Sequence, residues 1–335
     1  MSGRLALILI ACASRLFSGQ SSAPIQVDVD LVAVACSTTD RTGAPARNLR
    51  REDFVLWDNG APQTIKYFWQ ETDLPLTIGL IVDVSGSQAG LIGKHRQTVA
   101  EFLAQMITPR DRAFLVTVAR DVKLVTDLTN SLGELRAGVE RIEGRQKHGE
   151  QLGDPCRGRK QPRRSGRRGR WMRGCGGTAL WNGVYSAARL KMRPLTGRKA
   201  LIVLSDGLDT GSTHSLMDAI EAAQGAETMV YTIRYISTLP LLLFPPMILQ
   251  AVLSHGLERL SQETGGRAFG APKGSPADVF AQIETELRNV YVLGFTLPQE
   301  ARDGRFHKLE VKLPRPDLVV RARTGYYARL QPQRQ

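Results

Sequence analysis

Only four of the 335 residues are cysteine, so the fold cannot rest on a disulfide scaffold. There is no C-x-x-C pair and no histidine-rich run, which removes the usual zinc spacings. The five histidines, His95, His148, His214, His255 and His307, show no clustered spacing. A G-x-S-x-G elbow and a G-x-x-x-x-G-K-[ST] phosphate loop are both missing, and with them the common signatures of a serine hydrolase and a nucleotide binder. No apolar run reaches the length of a membrane span. Leu5–Ala11 is too short, and Leu239–Leu249 is short and broken by Pro240, Pro245 and Pro246. Apolar residues still make up 42% of the chain, ample for a buried core in one large or two modest domains.

Acidic residues are fewer than basic ones, 32 against 45, and the net charge of +13 would suit a nucleic-acid binder if it were spread over the chain. It is not. Between Arg145 and Arg173 stand eleven Lys or Arg against Glu150 and Asp154, which is +9 of the +13. Rich in Gly and Arg and without periodicity, residues 145–173 read as an exposed basic loop. Arg163, Arg164, Arg167, Arg168 and Arg170 are candidates for attracting an acidic partner, anionic lipid or nucleic acid; a solvated loop with no partner is the alternative. Trp171 is the only aromatic in the cluster, so the stacking expected of a single-strand binder is missing and nucleic acid is disfavoured. Cys156 and Cys175 bracket the arginines and could join in an oxidising compartment.

Arg4 followed by Leu5–Ala11 gives the charged and apolar regions of an export signal, residues 1–23. The mature chain is then expected in the periplasm, the cell envelope or outside the cell. Leu9-Ile10-Ala11-Cys12 also fits a bacterial lipobox, which would place a lipid anchor on Cys12; otherwise cleavage falls between Ala13 and Ala23.

Residues 24–74 read as an antiparallel β-unit. Ile25, Val27, Val29, Leu31, Ala33 and Ala35 form one apolar face, and Phe54–Trp57 runs into the hairpin signal Asp58-Asn59-Gly60, with Ile65–Trp69 as the return strand. From 75 to 289 strands alternate with helices, which predicts the α/β class with a doubly wound, mostly parallel, Rossmann-like sheet. Helices are expected at Leu91–Met106, Leu132–Ile142, Ala179–Leu190, Leu216–Ala223, Val252–Thr264 and Pro276–Arg288. Leu239–Leu249 between them is either a covered loop or an exposed contact patch. Residues 290–329 return to strands, the last at Leu318–Arg323, which cannot bury a face alone. They are expected to pack with the N-terminal unit as a smaller, discontinuous antiparallel β-sandwich.

The buried strand Ile78–Val82 runs into Asp83-Val84-Ser85-Gly86-Ser87. At the carboxyl end of a parallel strand, a spacing of two lets a loop turn one carboxylate and two hydroxyls toward a common point. Such an oxygen cluster suits a hard divalent cation. A polar turn with Ser87 as a helix N-cap is the alternative. Gly176-Gly177-Thr178 places another hydroxyl on a turn before a helix, and Leu201–Ser205 is a second buried strand ending in Asp206-Gly207. Ligands of open parallel sheets bind outside the carboxyl ends of the strands, where Asp83 and Asp206 both fall. Asp209 reads as a turn or cap residue.

Together these stretches resemble the three loops of a von Willebrand factor type A (VWA) domain and its metal-ion-dependent adhesion site (MIDAS). Asp83, Ser85 and Ser87 match the first loop, Thr178 the second and Asp206 the third. Asp53–Gly60, Thr264-Gly265-Gly266-Arg267 and Arg323-Thr324-Gly325-Tyr326-Tyr327 look like markers of exported acidobacterial proteins with a VWFA-related domain. The chain departs from that group at Trp181-Asn182-Gly183, where an aromatic is often followed by Asp, and the departure touches the support of Thr178. The resemblance implies a non-enzymatic binding module in which Mg²⁺ or Mn²⁺, held partly through water, accepts an Asp or Glu of a protein partner. In that role Asp83 would orient waters and the serines, Ser85 and Ser87 would ligate directly, and Thr178 and Asp206 would respond to ligation. Two alternatives stay open: hydrolysis by a metal-bound water, for which no base is evident, and a scaffold whose Arg-rich loop holds an anionic partner.

Overall fold

The computed structural model describes residues 31–72, 74–143, 178–235, 246–270 and 276–328, with the backbone alone for 246–254. The leader 1–23 with Cys12 lies outside the described residues. So does the basic loop with Arg163, Arg164, Arg167, Arg168, Arg170, Cys156 and Cys175.

The chain opens with β1 (Leu31–Asp40), β2 (Val55–Asp58), β3 (Ala61–Gln63) and β4 (Tyr67–Glu71). Asn59 and Gly60 take φ of 48° and 80°, the left-handed pair that a tight two-residue hairpin turn requires. Two expectations are corrected here. The return strand of that hairpin is β3, whereas β4 crosses to another sheet; the alternation at Ile65–Trp69 specifies a strand but not its partner. In the apolar half of β1 the buried side chains are Val32, Val34 and Cys36, while Leu31 and Ala35 are exposed. Both faces of that run are apolar, so packing against the neighbouring sheet, not local pattern, selects the inner one.

Next come β5 (Leu76–Asp83), α1 (Ile92–Met106), β6 (Arg112–Val118), β7 (Val122–Thr129), α2 (Leu132–Glu140) and α3 (Leu180–Ser186). They are followed by β8 (Arg198–Ser205), α4 (Leu216–Gly225), β9 (Thr228–Arg234), α5 (Pro246–Glu263), β10 (Ala268–Phe269) and α6 (Ala277–Arg288). The six strands form one sheet in the order β10-β9-β8-β5-β6-β7, parallel except for β7. Every residue of β5 is buried, because helices cover both faces. Ile78, Leu80 and Val82 pack with Phe102 of α1, Val139 of α2 and Ile283 of α6; Ile81 packs with Val184 of α3, Ile220 of α4 and Leu260 of α5. Gly79 interrupts the aliphatic run for a steric reason. A Cβ there would lie 2.4 Å from the Phe114 ring and 2.5 Å from Leu201 Cδ2.

Helix α5 starts ahead of the expected Val252, so 246–249 of the apolar stretch form its first turn rather than a loop. Pro246 suits that first turn, where a backbone N–H has no partner to lose. Among the described residues no helix is long and apolar enough to cross a membrane.

The chain closes with β11 (Val290–Thr296), β12 (Phe306–Lys312), β13 (Leu318–Ala322) and β14 (Gly325–Tyr327). The last of these lies beyond the expected final strand; it pairs with β12 through His307 and Tyr326. N- and C-terminal strands interleave in two antiparallel sheets, β13-β1-β11-β4 and β14-β12-β2-β3. Val34, Cys36, Leu293 and Phe295 of the first share a core with Leu56, Leu309 and Tyr326 of the second. Each sheet thus buries a face that it could not bury alone.

Candidate metal centre

The order of the parallel sheet reverses at β5: the chain moves to β6 on one side and later returns to β8 on the other. Ligand sites of open sheets lie at such a reversal, and Asp83 stands at the end of β5, fully buried. Its Oδ1 accepts the Ser85 N–H at 2.9 Å, and its Oδ2 accepts the Ser205 hydroxyl from the end of β8 at 2.6 Å. Burial lifts the Asp83 carboxyl to about 6; the Asp206 charge adds to this, and the serine hydrogen bonds oppose it. Ser85 and Ser87 bring their hydroxyl oxygens within 3.1 Å of each other. Ser87 caps no helix. It lies inside the 3-10 turn Gly86–Leu91, and α1 begins only at Ile92.

Asp206 follows β8. Its Oδ1 accepts the Leu208 N–H at 2.9 Å and its Oδ2 accepts the Gln88 side-chain amide at 2.8 Å. Thr178 is tied to the same loop: its carbonyl accepts the N–H of Thr210 at 3.0 Å and of Gly211 at 2.8 Å, and its own N–H donates to Thr210 Oγ1 at 3.0 Å. Asp209 is a cap, as expected. Its Oδ1 accepts the Trp181 N–H in the first turn of α3 at 3.2 Å and the Ser212 hydroxyl at 2.5 Å, and burial raises its carboxyl. Asn182 holds the far side of the loop, with Oδ1 accepting the N–H of Thr213 at 3.2 Å and of His214 at 3.0 Å. The acceptor oxygen that an Asp would offer is therefore present at the departure from the resembling group.

The five candidate residues are thus borne on two neighbouring strand ends and one cross-linked loop. Among the described residues no three of His, Cys, Asp and Glu gather as a metal group. The donor set here is two carboxylates and three hydroxyls, which fits an oxygen-seeking divalent cation. Ser205, Gln88 and His95 complete the surroundings and escaped the sequence reading. His95 Nδ1 lies 3.2 Å from the Asp83 carbonyl oxygen, and burial pushes its pKa down to about 4. Its ring packs edge-on against Tyr235 at 5.0 Å between centroids. A signal for Ser205 existed, since pairing β5 with β8 sets Val82 opposite Leu204 and so brings the next residues together. Gln88 offered none beyond adjacency to Ser87.

No protein-family model and no curated protein matches the chain. Among solved structures it is similar to BatB from Bacteroides thetaiotaomicron, at 12% identity over 62% of this chain and 96% of that one, with a TM-score of 0.41. The VWA domain of SpRpn10 is also 12% identical, over 63% and 95%, with a TM-score of 0.38. Proximal thread matrix protein 1 of the mussel byssus, with a zinc-occupied MIDAS motif, is 12% identical over 67% and 49%, with a TM-score of 0.44. Likenesses this distant leave function to the site's own residues. The order of the six-stranded sheet is the doubly wound α/β arrangement that resemblance to a von Willebrand A domain implies.

Proposed function

We propose that this chain is an exported, non-enzymatic binding module that uses a divalent cation, Mg²⁺ or Mn²⁺, to engage a protein partner. Asp83, Ser85, Ser87, Thr178 and Asp206 would hold the ion, residues 75–289 forming the binding domain and 24–74 with 290–329 its supporting sandwich. When bound, the cation supplies an electron-poor centre for an Asp or Glu side chain of the partner. The observation that carries the reading is Asp83, a carboxylate buried at the sheet's reversal point and engaged by Ser85 and Ser205 beside the paired Ser85 and Ser87 hydroxyls. A buried charge without a counter-ion is costly, and a cation at this place would offset that cost. Binding is favoured over hydrolysis because, among the described residues, the histidine that reaches the site is His95, which is fully buried and faces a main-chain oxygen. Calorimetric titration of Mg²⁺ and of Mn²⁺ into the mature chain, with Asp83→Ala alongside, tests the proposal. Saturable binding that disappears in Asp83→Ala is expected. A wild type that binds neither ion, or a variant that binds as well as wild type, would overturn it.

A further inference from the structure

Gln88 directly follows Ser87, and its side chain is fully buried. Its Nε2 donates to Asp206 Oδ2 at 2.8 Å and to the Tyr235 carbonyl at 3.3 Å, whereas Oε1 has no hydrogen-bond partner. Turning the amide over would set Oε1 against those two acceptors, so they dictate its orientation. An amide that donates twice while its own buried oxygen goes unsatisfied is held in place by what it donates to. Asp206 consequently has a donor on each oxygen, Leu208 N–H on Oδ1 and Gln88 on Oδ2.

We propose that Gln88 is a positioning residue, a tether that keeps Asp206 from coordinating a cation directly. The proposal rests on the cation reading of the site given above. A carboxylate oxygen that accepts a short charge-assisted hydrogen bond is both fixed in place and partly neutralised. Oδ2 keeps a second lone pair, but an ion taken there would compete with the Gln88 N–H for the charge of that oxygen and would have to meet a carboxylate already fixed in place, which works against direct ligation. The charge of Asp206 then acts on the ion through water or across space, and the ion stays electron-poor and receptive to a carboxylate from outside. Gln88 also fastens the turn that carries Ser87 to the ends of β8 and β9. Tyr235, its second acceptor, donates its own N–H to the Ser205 carbonyl at 3.0 Å and meets Thr98 Oγ1 through its hydroxyl at 3.0 Å. The first and third loops therefore move as one unit while the amide holds.

The test is calorimetric titration of Mg²⁺ into Gln88→Met, a side chain of similar volume without the donor. Once Oδ2 is released, Mg²⁺ should bind the variant about tenfold more tightly than wild type. In an Asp206→Asn background the same substitution should change nothing, because Gln88 acts through Asp206. Packing damage would weaken binding, so tighter binding separates the tether from a merely structural role. Gln88→Leu is the second variant if circular dichroism shows that Gln88→Met does not fold. Unchanged or weaker Mg²⁺ binding by a folded Gln88 variant, with Asp83→Ala still abolishing binding, overturns the tether and leaves the cation site standing. A wild type that binds no Mg²⁺ or Mn²⁺ overturns both.

Discussion

Ser205 donates its hydroxyl to Asp83 Oδ2 at 2.6 Å and accepts the Gly207 N–H at 3.0 Å with the same oxygen. One side chain at the end of β8 thus positions the carboxylate at the end of β5 and starts the turn that carries Asp206. Ser205→Ala removes the donor and leaves Asp83 Oδ2 without one in a fully buried setting. Metal-free stability should fall by about 1–3 kcal/mol, the usual cost of an unsatisfied buried polar group. Mg²⁺ affinity should fall as well, because Asp83 loses its fixed orientation. Urea unfolding at about pH 8 and calorimetry on the same samples check both, and a variant as stable as wild type would show that Ser205 is dispensable.

His95 reaches the carbonyl of Asp83, and the two groups titrate in opposite senses. Burial lifts Asp83 from its ordinary 3.8 to about 6 and lowers His95 from 6.5 to about 4. For Asp83, the raised group, the contribution to stability is complete below pH 3.8 and is lost as pH rises through about 6, a change of about 3 kcal/mol. For His95, the lowered group, stability is complete above pH 6.5 and is lost as pH falls through about 4, by a similar amount. In metal-free protein the two slopes oppose each other and flatten the stability curve across that window. Asp83→Asn should leave the His95 slope alone, so stability falls steadily by about 3 kcal/mol on acidification from about pH 6.5 to 4. A cation at Asp83 displaces a proton, and the stabilisation of wild type by Mg²⁺ should therefore grow between about pH 5 and pH 7.5. Unfolding curves across this range, with and without Mg²⁺, read out both effects. A Mg²⁺ increment that ignores pH would exclude Asp83 as the displaced group.

What could be read from the sequence follows from how local each signal is. Asp83, Ser85 and Ser87 declare themselves because the strand that presents them and the turn that gathers them are contiguous. The alternation of buried strands and helices announces the parallel sheet for the same reason. Ser205 and Gln88 act on residues more than a hundred positions away, and only the pairing of β5 with β8 and adjacency to Ser87 point to them. The inner face of β1 and the partner of β4 were likewise set by packing. Leu31–Cys36 is apolar on both faces, and β4 pairs with β11 across two hundred residues of intervening chain. Short-range polar spacing thus nominates the candidate residues, whereas hydrophobic periodicity does not choose the inner face of the sandwich strand.

Asn182 is where the chain departs from the group that it resembles, and its contacts say what the position is for. Its Oδ1 collects the N–H groups of Thr213 and His214, while Thr178 collects those of Thr210 and Gly211 on the same loop. The loop after Asp206 is therefore held at two points on the second-loop side. Asn182→Ala would leave two N–H groups without their acceptor and should cost about 1–3 kcal/mol. Mg²⁺ binding should weaken severalfold, because the loop that links Thr178 to Asp206 loses one anchor. Asn182→Asp keeps the acceptor, and its added charge meets two N–H donors, so stability should stay within about 1 kcal/mol of wild type and Mg²⁺ binding should persist. Thermal unfolding and calorimetry of the pair distinguish an acceptor requirement from an amide requirement. Equal loss in both variants would mean that the Asn182 amide nitrogen, not its oxygen, supports the second loop.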